Sequence, residues 1–499
     1  MVSRRAPRCI VWLALSAALA CGRRGAPAAA RDELIVATPA GPDTPDAGSG
    51  LGLHPVNANV YETLVRLTPD FSVAPQLATR WQLRSRNTWR FHLRQGVRMH
   101  DGTTLTAAAV VWTMRRIARA GGGPMGIGEG SVRVIDDTTL DITPTRPARR
   151  LVEQLANPDW SIMAPGPDSA PRPVGTGPFR FVEYARGDHL TVERFDEYWG
   201  DRARLRRLTF RFLPDANARL LALRAGAVHV ASDLPREAAR AARLLPDIAV
   251  ATSPVGGYDA LYVNQQSSAI RRAIVYALDR PRLAEAAWRG TAEPALLLGP
   301  AVLLGRSADL VGGARFDPRR ARRVLDGAGW TPLPDGTRAK AGRRLALTLV
   351  IGPPDFDIHR VMATVVQDQL REAGIDLRIV PLPESGAYQA RIKSGAGDLW
   401  TVAGELSDAD PCVVVDLAVR GGARRFLDAC RAAVALEDAQ RSAARALRVL
   451  IDEEAVVVPV AGTYRVWGLR REVRGFVPHP SSPSQRWDRV SLATSRVSR

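Results

Sequence analysis

Residues 77–117, LATRWQLRSRNTWRFHLRQGVRMHDGTTLTAAAVVWTMRRI, constrain the fold more than any other stretch. Trp89, Phe91 and Leu93 alternate with Arg90, His92 and Arg94, so one face of a strand is apolar and the other charged. Gln95-Gly96 and Asp101-Gly102 are turn pairs, because glycine takes a positive φ without a Cβ penalty. Thr106 can then cap a helix on which Val110, Val111, Met114 and Ile117 fall at helical spacing. The local prediction is hairpin, turn, helix.

The same grammar continues downstream. Residues 132–142 alternate around Asp136-Asp137 and predict a hairpin. Residues 215–230 predict a helix stopped by Gly226, then a strand. A strand at 345–351, a helix at 361–373 closed by Gly374 and a strand at 375–380 make a βαβ unit, which implies a sheet with parallel pairs. A helix at 436–450 and a strand at 456–460 follow. With 499 residues, 46% of them hydrophobic, the chain can bury a large core and divides into two or three domains.

Charge and motifs narrow the function. A formal charge of +18 raises nucleic acid or an anionic surface as partner. Yet only Lys340 and Lys393 are lysines, and the arginines are scattered, in blocks no longer than pairs such as Arg115-Arg116 and Arg271-Arg272. No basic motif is interleaved with aromatics, so no nucleic-acid partner is expected. There is no G-x-S-x-G, H-E-x-x-H, C-x-x-C or phosphate loop; Gly175-Thr176-Gly177 lacks the GK[ST] ending. No enzyme, cofactor or metal is expected.

The N-terminus predicts export. Arg4, Arg5 and Arg8 precede an apolar run from Cys9 to Ala20, which is too short for a membrane span and the size of a signal-peptide core. Residues 1–20 are the expected leader. Cys21 is the candidate for lipidation; simple cleavage after Ala20, or a cut after Ala28-Ala29-Ala30, are the other readings. In an oxidising compartment Cys412 and Cys430 are candidates for a disulfide, worth about 3 kcal/mol in the chain-entropy model, against two free thiols.

The run LA-x-x-W, then W-x-F-x-LR-x-GV-x-x-HDG-T-x-LTA-x-x-V, resembles the signature of the family 5 extracellular solute-binding proteins. Gly175-Thr176-Gly177-Pro178-Phe179 with Glu197-Tyr198-Trp199-Gly200 is similar to a second block of that family. So are Arg272, Ala273, Ala277, Asp279 and Arg280, and Phe316-Asp317-Pro318 through Gly329-Trp330. Two departures show. Ala108 and Ala109 replace an acidic pair, and His229 stands where an Asp is usual.

The resemblance implies an α/β, two-lobed periplasmic-binding-protein fold of class II type, with mixed sheets flanked by helices and a hinge between lobes. Lobe I would comprise 31–58, 170–257 and 464–499, with an extra subdomain at 59–169; lobe II would be 258–463. The implied function is an extracytoplasmic receptor of an ABC transporter that carries a short peptide or similar small solute to the permease and its ATPase. The second function considered is an envelope receptor reusing the fold for signalling. A periplasmic or cell-surface monomer is implied, attached to the membrane if Cys21 is lipidated. Ligand-binding candidates by resemblance are Tyr61, Glu62, Trp400, Ser407, Asp408 and Asp410. Peptide-binding members hold the ligand's ammonium on an Asp that aligns with Ser407 here, or with Asp408 after a shift of one residue.

Overall fold

The computed structural model describes residues 32–42, 57–119, 126–128, 130–145, 148–166, 173–352, 356–416 and 421–493. The leader 1–20 and Cys21 lie outside the described residues. Two large sheets organise the chain. The first holds β1 (Glu33–Thr38), β2 (Phe179–Ala185), β3 (His189–Arg194), β4 (Arg207–Phe212), β5 (Val230–Ala231) and β6 (Ile248–Thr252). The second holds β7 (Gly257–Val263), β8 (Ala292–Pro294), β9 (Ala346–Ile351), β10 (Asp376–Pro381), β11 (Leu399–Glu405) and β12 (Val457–Thr463). The chain then returns to the first sheet as β13 (Val466–Arg470).

The first sheet has the order β6-β13-β5-β1-β4-β3-β2, and the second β8-β12-β7-β11-β9-β10. Both mix parallel pairs (β1 with β4, β9 with β10) and antiparallel ones (β7 with β11 and β12). Helices cover the faces. Helix Phe356–Glu372 joins β9 to β10 as the βαβ crossover predicted from sequence, and Gly374 closes it at φ +89. The chain passes between the sheets at 253–256 and again at 464–465.

Residues 77–117 fold as their alternation dictates. Strands Ala78–Leu83 and Trp89–Leu93 join Val132–Asp136 and Thr139–Ile142 in a four-stranded antiparallel sheet. Helix Ala107–Arg119 starts directly after Thr106 and buries Val110, Val111, Met114 and Ile117. Ala109 is buried too, where a carboxylate would need a partner. The apolar core of this subdomain continues into the second sheet and its helices, through Tyr258, Leu406, Val414 and Leu427.

Asn57–Val60 forms a single helical turn, with the Tyr61 N–H donating to Asn57 O at 2.8 Å. The glycines of the GTGPF block explain the close approach there: a Cβ at Gly175 would lie 2.1 Å from Val60 O, and one at Gly177 would lie 2.4 Å from Asn59 O. Arg280 is the first residue of helix Arg280–Trp288, behind the cap Asp279. Its guanidinium donates to Pro459 O (2.8 Å) and Ala314 O (2.9 Å), tying that helix to β12.

Candidate ligand-binding site

A cavity of about 440 Å³ opens where the chain crosses between the sheets. Asp233 and Leu234 line it from the first sheet's side; Tyr258, Trp288, Glu405 and Ile358 line it from the second. Its volume suits a small ligand, and its mix of aromatic walls and few charges is typical of such sites. Tyr258 on β7 and Gly404 on β11 are cross-strand partners. A Cβ at Gly404 would come within 2.7 Å of the Tyr258 hydroxyl, so the glycine lets the phenol lie flat across the strand.

Arg465 sits in the second crossover and joins the two halves. Its guanidinium pairs with Asp233 on one side and with Glu405 Oε2 at 2.6 Å on the other. Burial alone would raise Asp233, but the Arg465 charge and the Ser232 hydroxyl hold it below the usual carboxylate range. Asp233 adopts φ +53, a left-handed conformation that costs energy for a residue with a Cβ. Arg219 fixes it there by donating to Asp233 O (2.8 Å) and Ser232 O (3.0 Å). In the pocket wall, Asp259 meets His359 Nε2 at 2.8 Å, and His359 Nδ1 meets Gly352 O at 2.7 Å. The wall therefore holds three carboxylates, Asp233, Asp259 and Glu405, against the one guanidinium of Arg465, with His359 on Asp259: a local negative surplus on a strongly basic chain.

None of Tyr61, Glu62, Trp400, Ser407, Asp408 or Asp410 lines this cavity. Tyr61 is buried in the core of the first sheet. Glu62 accepts hydrogen bonds from Gln76 Nε2 (3.1 Å), Thr176 Oγ1 (2.9 Å), the Tyr198 hydroxyl (2.8 Å) and Trp199 Nε1 (2.7 Å). Trp400 packs with Val350 and Tyr388, its ring 6.4 Å from that of Tyr262. These three sit where side-chain packing and satisfied hydrogen bonds need them.

Ser407, Asp408 and Asp410 follow β11 directly and face the subdomain. The Ser481 hydroxyl donates to Ser407 Oγ at 3.4 Å. Asp408 accepts from Asp410 N (3.0 Å), and Asp410 from Cys412 N (2.9 Å) and Gln154 Nε2 (2.5 Å). Burial, then the neighbouring Asp410 charge, push Asp408 up to about 8; burial pushes Asp410 up to about 6. Burial likewise raises Glu153 despite its 2.7 Å pair with Arg150. Cys412 and Cys430 form a disulfide with Cα atoms 5.9 Å apart, pinning this loop to helix Arg424–Ala432. Their sulfurs and Asp410 cluster closely enough to suggest metal ligands, but sulfurs bonded to each other are poor ones.

Sequence reading missed Asp233, Tyr258, Trp288, Glu405 and Arg465. A positional signal was available for Arg465 alone, the charged residue of the crossover 464–465; the crossover 253–256 carries no charge.

Residues 72–424 match the family model described as bacterial extracellular solute-binding proteins, family 5 Middle. The chain belongs to that family. It is 28% identical over 408 residues to the nickel-binding periplasmic protein of Escherichia coli K12, covering 76% of this chain and 77% of that one. It is 26% identical over 465 residues to the dipeptide-binding protein of the same organism, covering 82% and 84%. The structure of NikA from Brucella suis in complex with Fe(III)-EDTA superposes with a TM-score of 0.82 at 24% identity, over 92% of this chain and 99% of that one. The likeness to that structure shows the fold alone.

As a family 5 member the chain has the two-lobed binding-protein fold and serves as a solute-binding protein of an ABC importer; the sequence expectations of fold and function both stand. The two large sheets fit the expectation of two lobes, with lobe I denoting the part of the chain built on the first sheet and lobe II the part built on the second. The relatives are named for solutes they bind, and none of this favours the signalling alternative. No helix among the described residues is long and apolar enough to cross a membrane.

Proposed function

We propose that the interlobe cavity captures a small solute bearing a cationic group, a short peptide with a free amine being the first choice. The carrying observation is the charge of the wall: Asp233 and Glu405 share Arg465, so one carboxylate's worth of charge is left for the ligand. Tyr258 and Trp288 supply flat apolar walls. Asp408 and Asp410, on the same segment beyond β11, are buried in this structure and become available to an ammonium when the subdomain contact opens. Capture is by hinge closure about 253–256 and 464–465, with no covalent step. The exported receptor, held to the membrane through Cys21 and acting as a monomer, then meets its permease. The relatives' names span dipeptide, nickel and glutathione, so the ligand class belongs to the pocket's own chemistry.

The test is a calorimetric screen of the mature protein against di- to pentapeptides, their N-acetylated forms, sugars and nickel chelates. A peptide that binds with its amine free and fails when acetylated, and that loses affinity in Glu405→Gln, supports the reading. Equal binding of acetylated and free peptides would overturn the role of the acidic wall. Binding of sugars or chelates alone would overturn the peptide.

A further inference from the structure

A second cavity, of about 510 Å³, shares no lining residue with the first. It lies within lobe I, between strand Val65–Leu67, the Tyr198-Trp199-Gly200 turn and residues 475–489. Four arginines surround it: Arg66, Arg94, Arg486 and Arg489. Three carboxylates answer them, one being the buried Glu62, 3.8 Å from Arg486. Asp488 is taken by Arg486, with Nε to Oδ1 at 2.9 Å. Asp201 lies 4.0 Å from Arg489, both well exposed. Arg94 donates to Gln76 O (3.3 Å) and places its guanidinium 4.1 Å from the centre of the Trp199 ring. Arg66 is half-buried, and among the described residues no carboxylate pairs with it. Two guanidiniums thus face one cavity with no counter-charge of their own.

The arrangement is unusual because it is built rather than incidental. Trp199 is locked by its indole N–H to the buried Glu62, and Tyr198 by its hydroxyl to the same carboxylate. Arg486 is held by Asp488 and reaches the Tyr198 hydroxyl at 3.2 Å. Burial, then Arg486 and Arg489, lower Arg66 from its ordinary value, as expected of a cation crowded by cations. Leu67, Pro75 and the exposed Val477 add apolar wall. His479 brings no charge, since burial pushes it down to about 4.

We infer that this cavity binds a small organic anion, a carboxylate or phosphate monoester on a flat apolar body, with Arg66 and Arg94 taking the charge and Trp199 the body. Guanidiniums suit such anions because their planar fork meets two oxygens at once. The site needs neither lobe closure nor the interlobe ligand, so it stands or falls apart from the import reading.

The experiment uses the mature protein with ¹⁵N-labelled tryptophan and titrates phenyl phosphate, benzoate, inorganic phosphate and benzyl alcohol. The Trp199 indole signal, assigned with Trp199→Phe, should shift saturably with phenyl phosphate or benzoate and stay put with benzyl alcohol. Arg66→Gln should weaken binding roughly tenfold, the loss of one charge-assisted contact, with Arg66→Lys recovering part of it. Because Arg66 pairs with no carboxylate, melting temperatures of these variants should match the parent and exclude misfolding. A Trp199 signal that no anion moves, or a shift of equal affinity in Arg66→Gln, would overturn the site. So would a response to benzyl alcohol equal to that of phenyl phosphate.

Discussion

Glu62 illustrates what a fully buried carboxylate requires. Four side chains donate to it, and they come from three separate segments of the chain. Glu62→Gln keeps the shape but turns two acceptor lone pairs into N–H groups that face other donors. Chemical denaturation should show a loss of about 2–3 kcal/mol; a change inside error would mean that the carboxylate is dispensable. Arg465→Gln strands Asp233 and Glu405 together. As that site keeps some contact with solvent, the expected cost is about 2 kcal/mol, again by denaturation. At this scale the sequence was only partly informative. An acidic residue beside an aromatic, as in Tyr61-Glu62, looks the same whether it faces a cleft or a core. Gln76, Thr176, Tyr198 and Trp199 gather around Glu62 only once the chain is folded. Arg465 carried no motif at all, being one arginine among many.

Among elements, the loop 406–412 is the informative one. Asp408 titrates at about 8 in the fold and near 4 when unfolded, so between these values the folded chain holds an extra proton. Its contribution is present at low pH and disappears as pH rises through about 8. His100 and His479, both pushed down to about 4, act in the opposite direction, but only up to their unfolded value near 6.5. Between about 6.5 and 8 the melting temperature should therefore fall with rising pH. Asp408→Asn should flatten that decline, and an equally steep decline in the variant would refute the assignment. The same loop is anchored by its disulfide. Peptide mapping without reductant should recover Cys412 linked to Cys430, and reduction should cost about 3 kcal/mol; two free thiols would contradict the structure. Element-level reading from sequence worked where periodicity was strong. Val110, Val111, Met114 and Ile117 are buried as their spacing required, and Gly374 ends its helix.

At the scale of the molecule, family motifs made the two-lobed fold legible because they are spaced along most of the chain. The cavity between the lobes was not legible, because its residues are brought together by two crossovers more than two hundred positions apart. Ligand at about 100 times its dissociation constant should raise stability by about 2.7 kcal/mol and, if the free receptor opens at the crossovers, shrink its radius of gyration in solution scattering. An unchanged radius with clear binding would argue for a rigid receptor. The sheet order also sets a timetable for folding. Lobe II is built from one unbroken run of chain, β7 to β12, and can assemble as soon as that run is free. Lobe I cannot: β6 touches its sheet only through β13, which is among the last strands to leave the ribosome or the export channel. Until then the edge of β5 that β13 will cover stays open. The receptor thus keeps half of itself unfinished until its tail arrives, which favours a chain threaded across a membrane before it folds.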